Sequence, residues 1–257
     1  MAKPYLITLL PSADVDLGRW LLQHYQQGYI ERPHAPVFHV LALKWYGFGK
    51  DDYPLLVDGD TKTPTVDKIL PLLEAQAPDE LKLIPSDPAL AAEVEAHQKF
   101  ARSTTGHAVV LWSYFNLLKY KRVVWPSLTT HVPWYEKMIC FLAFGLIRDL
   151  MYKGLGLNKT VSDQALQTIY EGFDHFDKVL ADGRDYLVGD RLTFADLALA
   201  SGMGPLILAQ GYHGMLPNHA MCPPYMQKVY AELRQRPTGL FIQKIYDRHR
   251  APALLSL

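Results

Sequence analysis

Apolar and polar positions follow two different periods in the first third of the chain. Three short apolar runs predict buried strands: YLITLL at 5–10, APVFHVLAL at 35–43 and PLLV at 54–57. Two sets of apolar residues at helical spacing predict helices: Leu17, Trp20, Leu21 and Tyr25, then Val66, Ile69, Leu70 and Leu73. This order, β-α-β followed by β and α, predicts a small α/β domain.

The pattern changes after a segment rich in proline. QAPDELKLIPSDP at 76–88 reads as a linker, and Asp87 followed by Pro88 is a typical helix start, with a cap residue and then proline at the first helical position. Beyond it only helical periods occur, as in the stripe Leu166, Ile169, Tyr170, Phe173, Phe176 and Leu180. We therefore expect an α/β domain over 1–80, a linker over 81–87 and an all-helical domain over 88–257.

Composition narrows the class of protein. The chain has 257 residues, 49% of them hydrophobic and 20% charged, and a formal net charge of zero. This balance predicts neither nucleic acid nor a membrane as partner. Cys140 and Cys222 stand far apart, which is typical of a reducing compartment. The most apolar stretch, MICFLAFGLI at 138–147, is about half a membrane span long, so we expect a buried helix and a cytoplasmic protein.

The strongest local signal is the stretch YLVGDRLTFADLALASGMGPL, which begins at Tyr186. Thr193 can cap a helix, and Asp196, three residues on, can reach back to the N–H of the cap. The helix that follows carries no charge between residues 197 and 203, which is typical of a helix in the middle of a bundle. The pattern therefore predicts a capped core helix.

This stretch resembles the capping-box motif of the glutathione transferase family. ADGRDYLVGDRLTFADLALAS at 181–201 is similar to bacterial members, and HAPVFHV and LRQRPTGLFIQKIYDRHR are similar to a bacterial subgroup. The resemblance covers nearly the whole chain and is looser over the first 75 residues. It implies a thioredoxin-like N-terminal domain, an all-α C-terminal domain, a homodimer, a role in detoxification, and glutathione as co-substrate without a metal.

The resemblance also assigns a role to the proline before the third predicted strand. In this family a cis-proline stands there, and the N–H and C=O of the preceding residue bind glutathione like an added strand. The matching residues are Tyr53 and Pro54, so the resemblance implies a cis bond between them. Without the resemblance, Pro54 reads as the first residue of an edge strand.

The start of the next helix departs from the family pattern. A Glu-Ser pair usually holds the γ-glutamyl group of glutathione there, aided by the helix N-terminus. The matching residues are Thr65, which keeps a hydroxyl, and Val66, which offers only its backbone N–H. Asp67 could replace the lost carboxylate. The implied glutathione site thus comprises Tyr53, Pro54, Thr65, Val66 and Asp67 and lacks two familiar side chains, whereas Thr65 alone reads as a helix cap.

Ser12 is the candidate catalytic residue. It follows the first predicted strand, where some classes of the family carry a catalytic serine with an arginine seven residues later, as Arg19 is here. A hydroxyl donor at a helix N-terminus favours a glutathione thiolate over the thiol, and the thiolate is the nucleophile. The negative charge of Asp14 and Asp16 opposes this effect. From its position alone, Ser12 is a helix N-cap and Arg19 a structural residue.

The resemblance also implies a second, hydrophobic substrate pocket. Trp112, Tyr114 and Phe115 lie on the helix that faces this pocket in the family, and ordinary helix packing is the alternative for each. The ten histidines do not cluster at ligand spacing, so we expect no metal site.

Three functions are compatible with these observations. The first is a transferase that activates glutathione through Ser12 for attack on a small hydrophobic electrophile. The second is a binding or scaffold protein of the same fold with weak or no glutathione affinity, which Thr65 and Val66 favour. The third is a peripheral membrane protein that uses the apolar region 138–147.

Overall fold

The computed structural model describes residues 3–251, and its first 64 residues contain a four-stranded sheet of order β2-β1-β3-β4. The strands are Tyr5–Leu9, Ile30–His34, Leu55–Asp58 and Thr61–Pro64. β1 pairs in parallel with β2 and antiparallel with β3, and β3 pairs antiparallel with β4. Helices α1 (Ala13–His24), α2 (Phe38–Trp45) and α3 (Val66–Glu74) complete this domain. The predicted thioredoxin-like α/β architecture is confirmed.

The prediction of a strand over 35–43 is wrong, because most of this run forms helix α2 and the second strand lies earlier, at Ile30–His34. β2 is an edge strand, and its sequence IERPH is polar and contains a proline, which only an edge position tolerates. The apolar residues of α2 instead cover the sheet, where Leu43 packs with Ile7 and Leu55. β4, a polar strand, was not predicted.

The rest of the described chain is helical. A single 3₁₀ turn at Asp79–Leu81 precedes nine α-helices, which are α4 Pro88–Lys99, α5 His107–Leu117, α6 Lys121–Thr129, α7 Trp134–Leu142, α8 Phe144–Gly154, α9 Lys159–Val179, α10 Phe194–Ile207, α11 Pro224–Gln235 and α12 Pro237–His249. Asp87 caps α4 as predicted, accepting hydrogen bonds from the N–H groups of Ala89 and Leu90. We propose the domain limits 1–80 and 88–257 on this basis. Residues 1–2 and 252–257 of those ranges lie outside the described residues.

The capping box of α10 is formed. Asp196 accepts hydrogen bonds from the N–H and the hydroxyl of Thr193, both at 2.8 Å, and from the N–H of Leu187 at 2.7 Å. Burial raises the pKa of Asp196 to about 6, and these hydrogen bonds act in the opposite direction. The helix is buried along almost its whole length, as predicted for the centre of a bundle. None of the helices in residues 3–251 is both long and apolar enough to cross a membrane.

A π-helical segment, Phe100–Gly106, joins α4 to α5, so that residues 88–117 form one continuous helical rod. The rod crosses α10 at two glycines, Gly106 and Gly202. A Cβ atom on Gly106 would lie 3.7 Å from the Cα atom of Gly202, and one on Gly202 would lie 3.1 Å from the carbonyl oxygen of Ala101 in the rod. The two backbones approach closely because neither residue has a side chain.

Helices α7 and α8 follow each other with only Ala143 between them, and this bent two-helix segment, which we call the hairpin, packs on the α/β domain. The expectation of one buried helix over 138–147 is wrong, because Met138, Phe141, Leu142 and Leu146 are each about half exposed or more. Cys140 and Ile147 of the hairpin share an apolar cluster with Leu10 and Ala35. Glu136, which is 1% exposed, accepts hydrogen bonds from the His34 ring at 2.6 Å and from the N–H of Ala35 at 2.9 Å. The hairpin is therefore attached to the end of β2 through a buried carboxylate.

Candidate functional site

Ser12 lies where β1 passes into α1. It is the N-cap of α1, and its hydroxyl oxygen accepts a hydrogen bond from the N–H of Val15 at 3.4 Å. This is the capping geometry expected from position alone. The same position puts the hydroxyl at the positive end of the helix dipole, so Ser12 can cap the helix and face a bound anion.

The Tyr53–Pro54 peptide bond is cis, as the resemblance implied. It directly precedes β3, whose first residue, Leu55, pairs with Ile7 of β1. Pro54 packs against α1, because a Cβ on Gly18 would lie 2.7 Å from the Cγ atom of Pro54. The absence of a side chain at Gly18 thus places the Tyr53–Pro54 step against the helix that Ser12 begins.

The side chain of Tyr53 is a feature that sequence reasoning missed. Burial raises the pKa of its phenol, Asp14 and Asp51 add to this effect, and the neighbouring Ser12 side chain opposes it. Its ring meets that of His39 edge-on at 5.5 Å between centroids. Tyr53 therefore presents a neutral hydroxyl beside Ser12 at ordinary pH.

His39 of α2 and Tyr114 of α5 enclose the same region. Burial lowers the pKa of His39, and its Nδ1 atom has no hydrogen-bond partner among residues 3–251. The hydroxyl of Tyr114 donates to the carbonyl oxygen of Pro11 at 3.3 Å, and burial raises its pKa. A signal for His39 was present in the sequence, in the run HAPVFHV, but the strand assignment for that run gave it no role.

The start of α3 has an unusual backbone. Thr65 has φ 62° and ψ 152°, a region that β-branched residues very rarely adopt. Its N–H donates to the carbonyl oxygen of Pro54 at 2.9 Å, and its side chain makes no capping hydrogen bond. Thr65 therefore does not act as the ordinary side-chain cap of a helix, and its backbone couples α3 to the Tyr53–Pro54 step.

The side chains of the next two residues, Val66 and Asp67, are not free to bind a ligand. The Val66 side chain is fully buried in the main core, so only its backbone N–H at the first turn of α3 can face a ligand. Asp67 is exposed, and its carboxylate accepts a hydrogen bond from Arg102 at 2.6 Å. The structure thus brings Tyr53, Pro54 and Thr65 together and leaves Asp67 engaged by a cation.

Arg102, on the π-helical segment, is another residue that sequence reasoning missed. It joins Asp67 of α3 to Asp14 of α1, and its Nε atom donates to Asp14 at 3.0 Å. Burial alone would lower the pKa of Arg102, but Asp14 and Asp67 outweigh burial and raise it. The repulsion that Asp14 would exert on a nearby anion is therefore offset by the paired guanidinium.

A small, mostly apolar cavity of about 80 Å³ opens next to Ser12. Pro11 and Ala13, on either side of Ser12, both line it. The α5 wall consists of Val109, Val110, Ser113, Tyr114 and Leu117, and part of the opposite wall is Tyr212, Met215 and Leu216.

Of the three aromatic residues that the resemblance assigned to the pocket, the structure places Tyr114 in the cavity wall and the other two elsewhere. Trp112 is 1% exposed and packs edge-on against Tyr230 in the core. Phe115 faces Tyr152 of α8 and lies under the ammonium group of Lys119. Both follow the alternative of ordinary helix packing, because they lie on other sides of α5 from Tyr114.

Arg19 is a structural residue. Its guanidinium is almost fully buried and pairs with Glu31 of β2, with Nη2 and Oε1 at 2.6 Å. The pair ties α1 to the edge strand, and among residues 3–251 the hydrogen bonds of the Arg19 side chain go to Glu31 and not to Ser12. Among residues 3–251, no group of three or more His, Cys, Asp and Glu side chains is arranged to hold a metal ion.

Comparison with known proteins agrees with this geometry. Residues 138–203 match the family described as glutathione S-transferase, C-terminal domain. Solved structures that are similar over the whole chain add the α/β domain. The chain has the glutathione transferase fold. No curated protein sequence matches it significantly.

Three solved glutathione transferases illustrate the similarity. The one from Xanthobacter autotrophicus Py2 is 14% identical with a TM-score of 0.59, covering 99% of this chain and 97% of that one. The one from Methylobacillus flagellatus KT, with glutathione bound, is 16% identical with a TM-score of 0.55 over 93% and 98%. The one from Methylobacterium radiotolerans, complexed with glutathione sulfonate, is 16% identical with a TM-score of 0.54 over 100% and 99%.

Proposed function

We propose that this protein is a glutathione transferase in which Ser12 stabilises the glutathione thiolate for attack on a small hydrophobic electrophile. The observation that carries the proposal is the position of Ser12. It begins α1, lies beside Tyr53 at the cis step, and stands between Pro11 and Ala13, two residues of the apolar cavity wall. The thiol and the electrophile would thus meet at its hydroxyl.

The backbone supports the binding of glutathione. The N–H and C=O of Tyr53 lie beyond the last ladder pair, Ile7 with Leu55, so they can pair with the peptide backbone of glutathione. The N-terminus of α3 is joined to the same step by the hydrogen bond from Thr65 to Pro54, and the N–H groups of a helix N-terminus favour a carboxylate. Two glutathione transferases of the same fold were solved with glutathione or its sulfonate bound, which supports this ligand.

In the proposed reaction Ser12 acts only as a hydrogen-bond donor. With an aryl halide, the thiolate forms a carbon–sulfur bond, the halide leaves, and the thiol proton passes to solvent. The Ser12 hydroxyl donates to the sulfur and lowers the pKa of the thiol, aided by the positive end of α1. Ser12 forms no covalent bond. The wider proposal is a homodimeric, cytoplasmic enzyme of detoxification, whose oligomeric state sedimentation would measure.

The test is Ser12→Ala in a conjugation assay. A hydrogen bond to a charged group contributes about 1.5–3 kcal/mol, so the rate should fall about 10- to 100-fold. Glutathione affinity should change less, because most contacts lie at Tyr53 and α3. Ser113→Ala is the matched control, since Ser113 lines the cavity on α5 rather than capping α1. An unchanged rate in Ser12→Ala, or an equal loss in the control, would contradict the catalytic role.

A binding protein without turnover is the second candidate. Val66 is buried and Asp67 is paired with Arg102, so the side chains at the start of α3 offer few groups that could bind the γ-glutamyl part of glutathione. Retention on immobilised glutathione together with an absence of conjugation by the wild type would support this candidate over the enzyme. The absence of both retention and conjugation would contradict glutathione as the ligand.

A further inference from the structure

The α7–α8 hairpin has an outer face that is apolar and uncovered. Six of its side chains, which we call the hairpin face, are each between 46% and 77% exposed: Trp134, Met138, Phe141, Leu142, Leu146 and Leu150. They recur at helical spacing, so they share one side of each helix. Proteins rarely leave so large an apolar patch uncovered unless it is an interaction surface.

The fold itself does not require this face to be apolar. The inner side of the hairpin already supplies the packing, through Cys140 and Ile147 against Leu10 and Ala35, and the anchoring, through Glu136. Polar residues at the outer positions would leave these contacts intact. The outer face therefore has a separate use.

Charge is concentrated in the same part of the chain. Residues 119–154 contain six basic and two acidic residues, so their formal charge is +4 while that of the whole chain is zero; residues 134–154 account for +1 of it and residues 119–122 for +3. Glu136 and Asp149 are already paired, with His34 and Arg148. The basic residues are Lys119, Lys121, Arg122, Lys137, Arg148 and Lys153.

Several of these cations border the hairpin face. The ammonium group of Lys121 lies 4.1 Å from the ring centroid of Phe141. Lys137 is exposed and stands one helical turn from both Trp134 and Phe141 on α7. Lys153 follows Leu150 by three residues on the exposed side of α8. The surface thus has an apolar centre with a cationic border.

We propose that the hairpin face docks on an anionic lipid bilayer, with α7 and α8 lying in the plane of its interface. Apolar side chains enter the acyl boundary while lysines reach the headgroups, as in amphipathic interfacial helices. Trp134 suits the headgroup level. A second copy fits less well, because a two-fold contact would bring together the cationic borders of both copies, with Lys121, Lys137 and Lys153 of each. The net charge of zero, from which no membrane partner was predicted, is a sum over the whole chain and does not show this local excess of positive charge.

The test is flotation of the purified full chain with phosphatidylcholine vesicles that do or do not contain phosphatidylserine. The wild type should float with the anionic vesicles, and salt should weaken binding. Leu142→Glu should reduce the bound fraction about tenfold or more. Leu240→Glu is the matched control, since Leu240 on α12 is 61% exposed and lies outside the hairpin, and it should bind like the wild type. Lys137→Glu should weaken binding to anionic vesicles only.

Each opposite outcome would overturn the proposal. Wild-type protein that floats with neither vesicle excludes lipid docking. Equal losses in Leu142→Glu and Leu240→Glu would mean that the hairpin face has no special part. If sedimentation shows that Leu142→Glu dissociates a dimer while vesicle binding is absent, the occupant is a second copy. Thermal unfolding of each variant checks that the fold is intact.

Discussion

The most deeply buried ion pair in the described residues joins Asp16 of α1 to Arg250, just beyond α12. Both side chains are fully buried, and Nη2 of Arg250 lies 2.7 Å from Oδ1 of Asp16. The carboxylate also accepts hydrogen bonds from the N–H of His213 and from the hydroxyls of Ser201 and Tyr246, at 3.0, 3.1 and 3.0 Å. One carboxylate of the α/β domain thus holds three segments of the helical domain.

Replacing Arg250 by methionine should strongly destabilise the protein. The substitution keeps most of the side-chain volume but leaves the buried charge of Asp16 without its cation. Breaking a buried pair in this way costs about 3–5 kcal/mol in the free energy of unfolding. For a chain of this size the melting temperature should fall by roughly 10 °C. Thermal unfolding followed by circular dichroism measures it, and one transition is expected because a single apolar core spans both domains.

Arg248→Met, in the last turn of α12, is the matched control two residues away. Arg248 pairs with Asp185 at the surface, where both side chains are about half or more exposed, and such pairs contribute about 0–1 kcal/mol. Asp16→Asn added to Arg250→Met should recover part of the loss, since it removes the unpaired charge. If Arg250→Met melts within a degree or two of Arg248→Met, or if Asp16→Asn worsens the double variant, the uncompensated charge is not the cause.

Three further changes test other parts of the structure. Thr193→Ala should cost about 1 kcal/mol of unfolding free energy, measured by denaturant titration, and an unchanged midpoint would mean that the box with Asp196 contributes nothing. Gly18→Ala should weaken glutathione binding in calorimetry, because its Cβ would displace Pro54; unaltered affinity would contradict that coupling. Burial lowers the pKa of His213 to about 4. The unfolded state therefore binds the extra proton first, and stability should fall as pH drops from about 6.5 to 4, with a shallower fall in His213→Gln.

The parts of the fold that were predictable from sequence rest on local signals. The capping box, the Asp87–Pro88 helix start and the change of period at the linker each depend on residues a few positions apart. The run 35–43 could not be assigned in this way. Its β-branched and aromatic residues are compatible with either a strand or a buried helix. The tertiary structure decides between them, because the polar strand Ile30–His34 occupies the edge of the sheet next to β1 and the run 35–43 is left to form a helix.

The same distinction between local signals and tertiary packing applies to the candidate site. Ser12 and Pro54 could be located because their roles depend on chain position next to β1 and β3. Arg102 could not, since its partners Asp14 and Asp67 are brought to it only by the packing of the helical domain on the α/β domain.

The π-helical segment Phe100–Gly106 has a consequence for the comparison of related chains. Its i→i+5 hydrogen bonds hold more residues in each turn than the i→i+4 bonds of an α-helix, so the segment absorbs about one extra residue. Wound as an α-helix, the same seven residues would turn α5 by about 100° and rotate Tyr114 out of the cavity wall. A relative with one residue fewer here can therefore present the same wall from a regular helix. In an alignment with such a relative, the one-residue gap belongs opposite residues 100–106. Without that gap, every cavity residue of α5 would be aligned with the residue next to its true counterpart.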